Sequence, residues 1–242
     1  MYFDTRYLYV ILIVIALISI FSGGLSILSL LLTIPGVLIA ITFHEFAHAF
    51  VAVKLGDETP RNQGRLNLNP FSHLDPVGVV MLIFAHIGWG KPVQINPNNF
   101  TRKVSARTGE ALVSLAGPVM NFILAIVFAI IFYALQTFAT SFVLENQIGS
   151  IILAMIQYTV IVNVGLGVFN LIPLPPLDGS KILMAFLPYN AKRWFEEHTQ
   201  LFYIIFLIIW ITPISSMIIS PIINGITSGL DSLVGGVFSL FI

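Results

Sequence analysis

Cysteine is absent from the 242 residues, so no disulfide can stabilise the fold and no thiolate can bind a metal ion. Charge is also scarce, because 9% of the residues are charged, against about 25% in an ordinary soluble domain. The 11 basic and 11 acidic residues balance, so neither a basic nor an acidic excess indicates a nucleic-acid partner. Hydrophobic residues make up 57% of the chain, which indicates an integral protein of the lipid bilayer.

Several apolar runs reach the length of about 18 residues that a membrane-spanning helix needs. The fold class we predict is an all-α polytopic membrane protein with five to six transmembrane helices and a short re-entrant β-hairpin or loop region. We expect the first run to be a retained span, since no cleavage site typical of a signal peptide follows it. The predicted spans are Tyr7–Phe21, Pro35–Lys54, Glu110–Phe138, Ile148–Leu171 and Leu201–Ile219.

Two boundaries stay open at this stage. Leu25–Ile34 extends either neighbouring helix or lies at the interface, although Pro35 suits the first turn of a helix. The tail from Pro221 either spans the membrane or lies on its surface. The polar stretch 181–198 is predicted to link two spans.

Residues 55–107 differ from the rest, because glycine, proline and asparagine are dense and six of the 11 basic residues lie there. This composition is typical of turns and short strands. The apolar piece Val77–Trp89 is too short for a comfortable span, and we predict a re-entrant segment, with a short hairpin over residues 86–97.

The basic residues also predict the orientation. Seven lie between Lys54 and Arg107 and three between Lys181 and Arg193, whereas the 139–147 loop has none. By the positive-inside tendency, these basic segments and the amino terminus face the cytoplasm. We therefore expect a multi-pass protein of the cell membrane whose active site lies toward the cytoplasmic side.

The sequence "HEFAH" contains the residues that a zinc-dependent hydrolase needs. His44 and His48 are four residues apart, so in a helix both imidazoles project from one face and can reach a single ion. Glu45 cannot readily bind the same ion, but its carboxylate can take a proton from a water that zinc has acidified. The alternative, a merely polar helix face, is disfavoured because ionisable side chains within a span are costly and rare.

A catalytic zinc site needs a third protein ligand. A histidine at the metzincin spacing is excluded, because Lys54 occupies that position. Asp178 is the main candidate, since it follows "NLIPLPPL", whose prolines break an apolar helix and leave polar backbone that needs a wet cavity. The residues alone leave the other acids open: Asp57, Glu58, Asp75, Glu110, Glu145, Glu196, Glu197 and Asp231.

The motifs "HEFAH", "AGPVMN" and "NLIPLPPLDG" together resemble those of the site-2 protease family of intramembrane zinc metalloproteases, in its small bacterial and archaeal branch. The resemblance covers roughly three-fifths of the chain, from about Pro35 to Gly179. It implies Zn²⁺ held by the histidine pair and Asp178, with Glu45 as general base. It further implies a substrate-binding or oxyanion role for Asn170 and for Asn121, which matches a polar residue near the site; the alternative is a hydrogen bond between helices.

The family resemblance also implies partners. The substrates would be transmembrane proteins cut within the lipid bilayer. The hairpin edge would either pair with an unwound substrate or only plug the cavity. Many members carry a PDZ or CBS domain, for which we expect no room here, so any regulator would be a separate membrane protein. The expected division is a transmembrane segment over 1–34, a metalloprotease core over 35–199 and one or more transmembrane segments over 200–242.

Two other functions remain alternatives. A membrane metal-ion transporter could use the same His and Asp side chains as a transit site, but transport does not require a base at position 45. Neither repeated halves nor a His-rich loop, both typical of transporters, is present. A catalytically inactive binder of membrane segments is disfavoured by the intact HExxH motif.

Overall fold

The computed structural model of the protein describes residues 27–75, 78, 90–101 and 104–241. Within these ranges the chain is helical and has no β-strand, although one isolated antiparallel bridge pairs Leu74 with Gly90. A 3-10 turn lies at Pro97–Asn99 and another at Ser239–Phe241. The α-helices are α1 (Ile27–Leu55), α2 (Thr59–Asn62), α3 (Pro70–His73), α4 (Ala106–Phe138), α5 (Thr140–Glu145), α6 (Gln147–Asn170), α7 (Asp178–Phe186), α8 (Tyr189–Glu197), α9 (Thr199–Ile211) and α10 (Ile214–Phe238).

Four helices in the described part of the chain are long and apolar enough to cross a membrane. They cover Leu28–Leu55, Ala106–Phe138, Gln147–Asn170 and Ser216–Phe241. The protein is therefore a multi-pass, all-helical membrane protein. The predicted first span, Tyr7–Phe21, and most of the predicted re-entrant segment, Val77–Trp89, lie outside the described residues, so the predicted total of five to six spans stays a prediction.

Pro35 and Pro213 both lie in apolar stretches, but they differ in whether the helix continues through them. Pro35 lies inside α1 rather than in a first turn, because the described helix is already formed from Ile27. Residues 27–34 therefore belong to the same helix as the HEFAH motif, one of the alternatives left open above. Pro213 does end a helix: α9 stops at Ile211 and Thr212 is extended, with ψ 160°. The single span predicted over Leu201–Ile219 is therefore wrong. The ring of a proline disfavours the helical conformation of the residue before it, yet a helix can continue through a proline, as α1, α4 and α10 do.

The remaining bounds differ less from expectation. The predicted spans Glu110–Phe138 and Ile148–Leu171 correspond to α4 and α6, which start within a few residues of the predicted positions. The tail beyond Pro221, left open by the sequence, is part of the long helix α10. The predicted polar link 181–198 is helical, because α7 and α8 occupy it with a short break before Tyr189. The helix α1 crosses the expected boundary at residue 34. The division of the chain into three parts remains a prediction.

The predicted β-hairpin is not confirmed. Residues 86–89 of that segment lie outside the described part, and residues 90–96 have no regular structure. Residues 90–101 instead form an irregular strap that lies against the carboxyl-terminal end of α1. The Thr101 amide donates to the carbonyl of Leu55 at 3.0 Å, which ties the far end of the strap to the helix.

Buried Asp57 anchors the strap just beyond α1. Its carboxylate accepts hydrogen bonds from Thr59, from the Asn96 amide at 2.6 Å and from the Asn99 side chain at 2.9 Å. Burial by itself raises the pKa of Asp57, but these hydrogen bonds lower it below its usual value. Asp57 is therefore ionised at neutral pH, and its charge is stabilised by groups of the strap.

The three spans α1, α4 and α6 form the centre of the molecule, and α10 packs on the outside of α4 and α6. A buried apolar cluster between α4 and α6 contains Ala125, Ala129, Val160, Val164 and Val168. Small side chains allow helices to approach closely in a membrane, where packing rather than water exclusion drives association. At Gly36 of α1, an added Cβ would lie 2.8 Å from the Thr159 Cα of α6.

We predict that Gly36→Ala destabilises the protein by about 1–3 kcal/mol, because the added methyl group forces α1 and α6 apart. The measurement is thermal unfolding in detergent micelles. Gly229→Ala in α10 is the matched control, since nothing lies within 4 Å of its added Cβ and alanine favours a helix. Equal melting temperatures for the two variants would contradict the close contact.

Candidate metal centre

The helix α1 places the HExxH side chains inside the protein. His44, Glu45 and His48 are 5%, 8% and 8% exposed. The spacing of four residues brings the two imidazoles together on one face, as expected for a helix, and their Nε2 atoms are 3.0 Å apart.

Asp178 reaches the histidine pair from the first residue of α7. Its Oδ2 atom lies 3.1 Å from His44 Nε2 and 3.2 Å from His48 Nε2. The next residue, Gly179, packs directly on the backbone of Leu171 and Ile172, where a Cβ would collide with both carbonyl oxygens. This close turn folds the chain back from the end of α6, and the packing of α7 against α4 then directs Asp178 toward α1.

Hydrogen bonds on the far side of each imidazole decide which nitrogen is free. His44 Nδ1 lies 2.6 Å from Asn121 Oδ1, and His48 Nδ1 lies 2.7 Å from the carbonyl oxygen of Val113. Both partners are acceptors, so each Nδ1 carries a proton, and in the neutral imidazole each Nε2 presents a lone pair. Burial raises the pKa of Asp178, but histidines that carry a proton on Nε2 lower it well below its usual value. The ionised carboxylate and the two imidazoles therefore need a positive charge among them, either a proton or a metal ion.

These three groups fit zinc. Two imidazole nitrogens and one carboxylate oxygen form a triangle with sides of 3.0–3.2 Å, and all three present electron pairs. Ligand atoms about 2.0–2.1 Å from a tetrahedral zinc are about 3.3 Å from one another, close to the sides of this triangle. Without a cation, three lone pairs at these distances would repel. Among the described residues, His44, His48 and Asp178 form the group able to hold a metal ion.

One face of α4 supports both histidines. Val113, Gly117 and Asn121 are spaced four residues apart, so they follow one another along that face. Val113 and Asn121 accept the two Nδ1 hydrogens, and Gly117 lies between them. An added Cβ at Gly117 would be 2.6 Å from both the His44 and the His48 rings. The motif "AGPVMN" therefore shapes the wall of the metal centre.

Asn163 of α6 is a member of this network that sequence reasoning missed. Both it and Asn121 are fully buried. The Asn121 amide donates to Asn163 Oδ1 at 3.0 Å and to the Ala40 carbonyl at 3.1 Å, and Asn163 donates to Thr159. These bonds direct the Asn121 oxygen toward His44. An asparagine within an apolar span was the available signal, since such polar residues need partners in the membrane.

The other predicted site residues lie at different distances from the histidine pair. Glu45 is on the same helix, and its Oε2 accepts a 3.1 Å hydrogen bond from the Val93 amide of the strap. Asn170 is half-buried at the end of α6 and donates to the Leu166 carbonyl of its own helix. Both amide hydrogens of Asn121 are used within the protein, so the structure gives it a contact with His44 rather than a free donor.

The chain resembles known proteins over most of its length. Residues 32–212 match the profile of peptidase family M50. A candidate zinc metalloprotease of Bacillus subtilis (strain 168), YwhC, is 35% identical over 81% of this chain and 86% of its own length. A candidate zinc metalloprotease of Mycolicibacterium smegmatis, Rip2, is 32% identical over 76% of this chain and 68% of its own. No solved structure matches the chain.

We predict that Gly117→Ala abolishes or severely weakens zinc binding, because its methyl group would occupy space held by both imidazoles. Zinc content after purification and titration with a competing chelator measure the effect. The matched control is Gly165→Ala in α6, whose added Cβ meets only Ile223, at 3.7 Å. A Gly117→Ala protein with wild-type zinc affinity would show that the rings do not sit against α4.

We predict that Asn121→Leu weakens zinc binding by about 10–100-fold, since His44 loses the acceptor that fixes its tautomer and orientation. Competition with a chromogenic chelator gives the affinity. Asn224→Leu, the same change at an exposed position of α10, controls for removing an amide from a span. If both variants bind zinc like the wild type, Asn121 does not orient the ligand.

Proposed function

We propose a function from one established premise: the chain belongs to peptidase family M50, the site-2 protease family, and is a zinc-dependent metalloprotease. The proposed reaction is hydrolysis of peptide bonds in or near the transmembrane segments of membrane proteins. Glu45 is the proposed general base, and His44, His48 and Asp178 are the proposed zinc ligands. The observation that carries the proposal is the buried ligand triangle, with two of its corners on a helix that could span the membrane.

Access for water follows from the position of the ligands along α1. His44 and His48 lie in the second half of the candidate span Leu28–Leu55, and polar loops follow that end of the helix. Water can therefore approach from the polar end without crossing the hydrocarbon layer. The concentration of basic residues between Lys54 and Arg107 supports a cytoplasmic location for this end.

The chemical roles divide between metal and protein. Zinc held by His44, His48 and Asp178 would supply Lewis acidity, which acidifies water to a pKa of about 7 and polarises a carbonyl group. Glu45 accepts the proton of the attacking water on its carboxylate and returns it to the leaving amide nitrogen. The Val93 amide holds Glu45 at its Oε2 atom, and Asn121 and Val113 hold the imidazoles, so these groups are oriented before substrate binds.

The substrate must expose a peptide bond that a helix normally shields. In a transmembrane helix each amide is bonded within the segment, so the substrate has to unwind locally before attack. Asn170 remains the proposed substrate-binding or oxyanion residue, because its amide group has two hydrogens and its bond to Leu166 uses one. A separate membrane protein is the proposed regulator of access.

We predict that Glu45→Gln retains zinc but loses at least about 100-fold in cleavage rate, since glutamine cannot accept the proton. The assay uses protein in lipid vesicles with single-span peptides whose apolar segments carry a central Gly-Pro pair, with and without a zinc chelator. Glu58→Gln is the control, because Glu58 is an exposed acid paired with Arg61.

Three outcomes separate the possible functions. Loss of cleavage in Glu45→Gln with unchanged zinc content supports the base role. Cleavage of a soluble casein but of no membrane-inserted peptide would contradict the intramembrane substrate class. Zinc flux into vesicles that survives Glu45→Gln, together with no cleavage by the wild type, would favour the transporter alternative.

A further inference from the structure

Arg65 is a buried cation outside the metal centre. It lies in the loop between α2 and α3 and is 7% exposed, which is unusual for an arginine. Its guanidinium group donates to three backbone carbonyls, those of Ser72, Lys91 and Pro92. One side chain therefore joins the loop before α3 to the start of the strap at residues 91–92.

The carbonyl of Pro92 and the amide of Val93 belong to the same peptide group. Arg65 Nη2 donates to the Pro92 oxygen at 3.3 Å, and the Val93 amide donates to Glu45 Oε2 at 3.1 Å. Because a peptide group is planar and trans here, its oxygen and its N–H point in opposite directions. Holding the oxygen with Arg65 therefore aims the N–H at Glu45.

Charge reinforces the geometry. A guanidinium at the carbonyl end polarises the peptide group and strengthens the hydrogen bond that its N–H donates. Gly90 lies on the other side of the same carboxylate, where an added Cβ would be 2.9 Å from Glu45 Oε1. The Lys91 amide also donates to the His73 carbonyl at 2.7 Å, so residues 90–93 are fixed directly over Glu45.

The two ends of the strap have separate anchors. Asp57 holds residues 96–99, as described above, whereas Arg65 holds residues 91–92. Loss of Arg65 therefore frees the part of the strap that contacts Glu45 and leaves the far end attached. Its three acceptors need the planar fork of arginine, which a lysine ammonium does not reproduce.

From these contacts we infer that Arg65 is a positioning residue for the reaction: through the peptide group between Pro92 and Val93, it orients the Glu45 carboxylate. The inference rests on the proposed role of Glu45 as general base. Arg65 does not touch zinc ligands in this arrangement, so its loss changes the rate of the chemical step more than the affinity for zinc.

The test compares Arg65→Ala and Arg65→Lys with Arg61→Ala. Arg61 is an exposed arginine four residues earlier, so its removal changes the net charge equally without touching the strap. With the single-span Gly-Pro peptide in lipid vesicles, we expect Arg65→Ala to lower kcat by about 10–100-fold, with a smaller change in KM and wild-type zinc content. Arg65→Lys should restore part of kcat, and Arg61→Ala should match the wild type.

Hydrogen exchange provides a readout that needs no cleavage. In Arg65→Ala, the amides of Lys91 and of residues 93–95 should exchange faster, whereas amides of the histidine-bearing half of α1 should keep their protection. Val93→Pro provides a second variant, because it deletes the N–H directed at Glu45, and Val93→Ala is its reference since the N–H is kept. The double variant Arg65→Ala/Val93→Pro should be no slower than Val93→Pro.

Contradicting results are equally specific. Unchanged exchange of residues 91–95 with kcat within twofold of Arg61→Ala would overturn the inference. Loss of zinc and global loss of protection in Arg65→Ala, with Val93→Pro as active as Val93→Ala, would show a merely structural role. A zinc-loaded wild type that cleaves no peptide would instead contradict the proposed function, while the exchange experiment would still test the link between Arg65 and the strap.

Discussion

Three side-chain groups that direct ligand atoms at one place, and need a positive charge among them, are the constraint on which the structure depends. His44, His48 and Asp178 bring their ligand atoms within 3.0–3.2 Å of one another, an arrangement that only a cation stabilises. The central helices serve this arrangement, because α1 supplies the imidazoles, α4 supplies the acceptors for their Nδ1 hydrogens, and the turn after α6 returns Asp178 to them.

A second requirement is that polar groups in a span need partners. The chain Asn121–Asn163 satisfies this inside the bundle by joining three helices through side-chain and backbone hydrogen bonds. Beyond the end of α1, two buried charged side chains bind loop segments. Asp57 accepts hydrogen bonds from strap groups, and Arg65 donates hydrogen bonds to backbone carbonyls. In both places buried polar groups fix side chains of the candidate site: Asn121 contacts His44, and the strap contacts Glu45.

The position of the histidine pair along α1 bears on how water reaches the candidate site. His44 and His48 lie in the half of α1 that leads to the polar loops. The strap covers this end and contacts Glu45 through a backbone amide. A single irregular segment thus borders both the water-accessible loops and the proposed base.

Sequence by itself determined the membrane class, the helical fold, the zinc chemistry and the histidine pair, because these follow from composition and from the local geometry of a helix. The motif resemblance also singled out Asp178 from the other acids. Tertiary structure decided the rest: that Asn121 faces His44, that Gly117 touches both rings, and that the Val93 amide meets Glu45. These contacts join residues 48 to 77 positions apart or depend on how closely two helices pack, and no local pattern encodes a packing distance. Similarly, Pro35 lies within a helix and Pro213 follows the end of one, a difference that the proline itself does not encode.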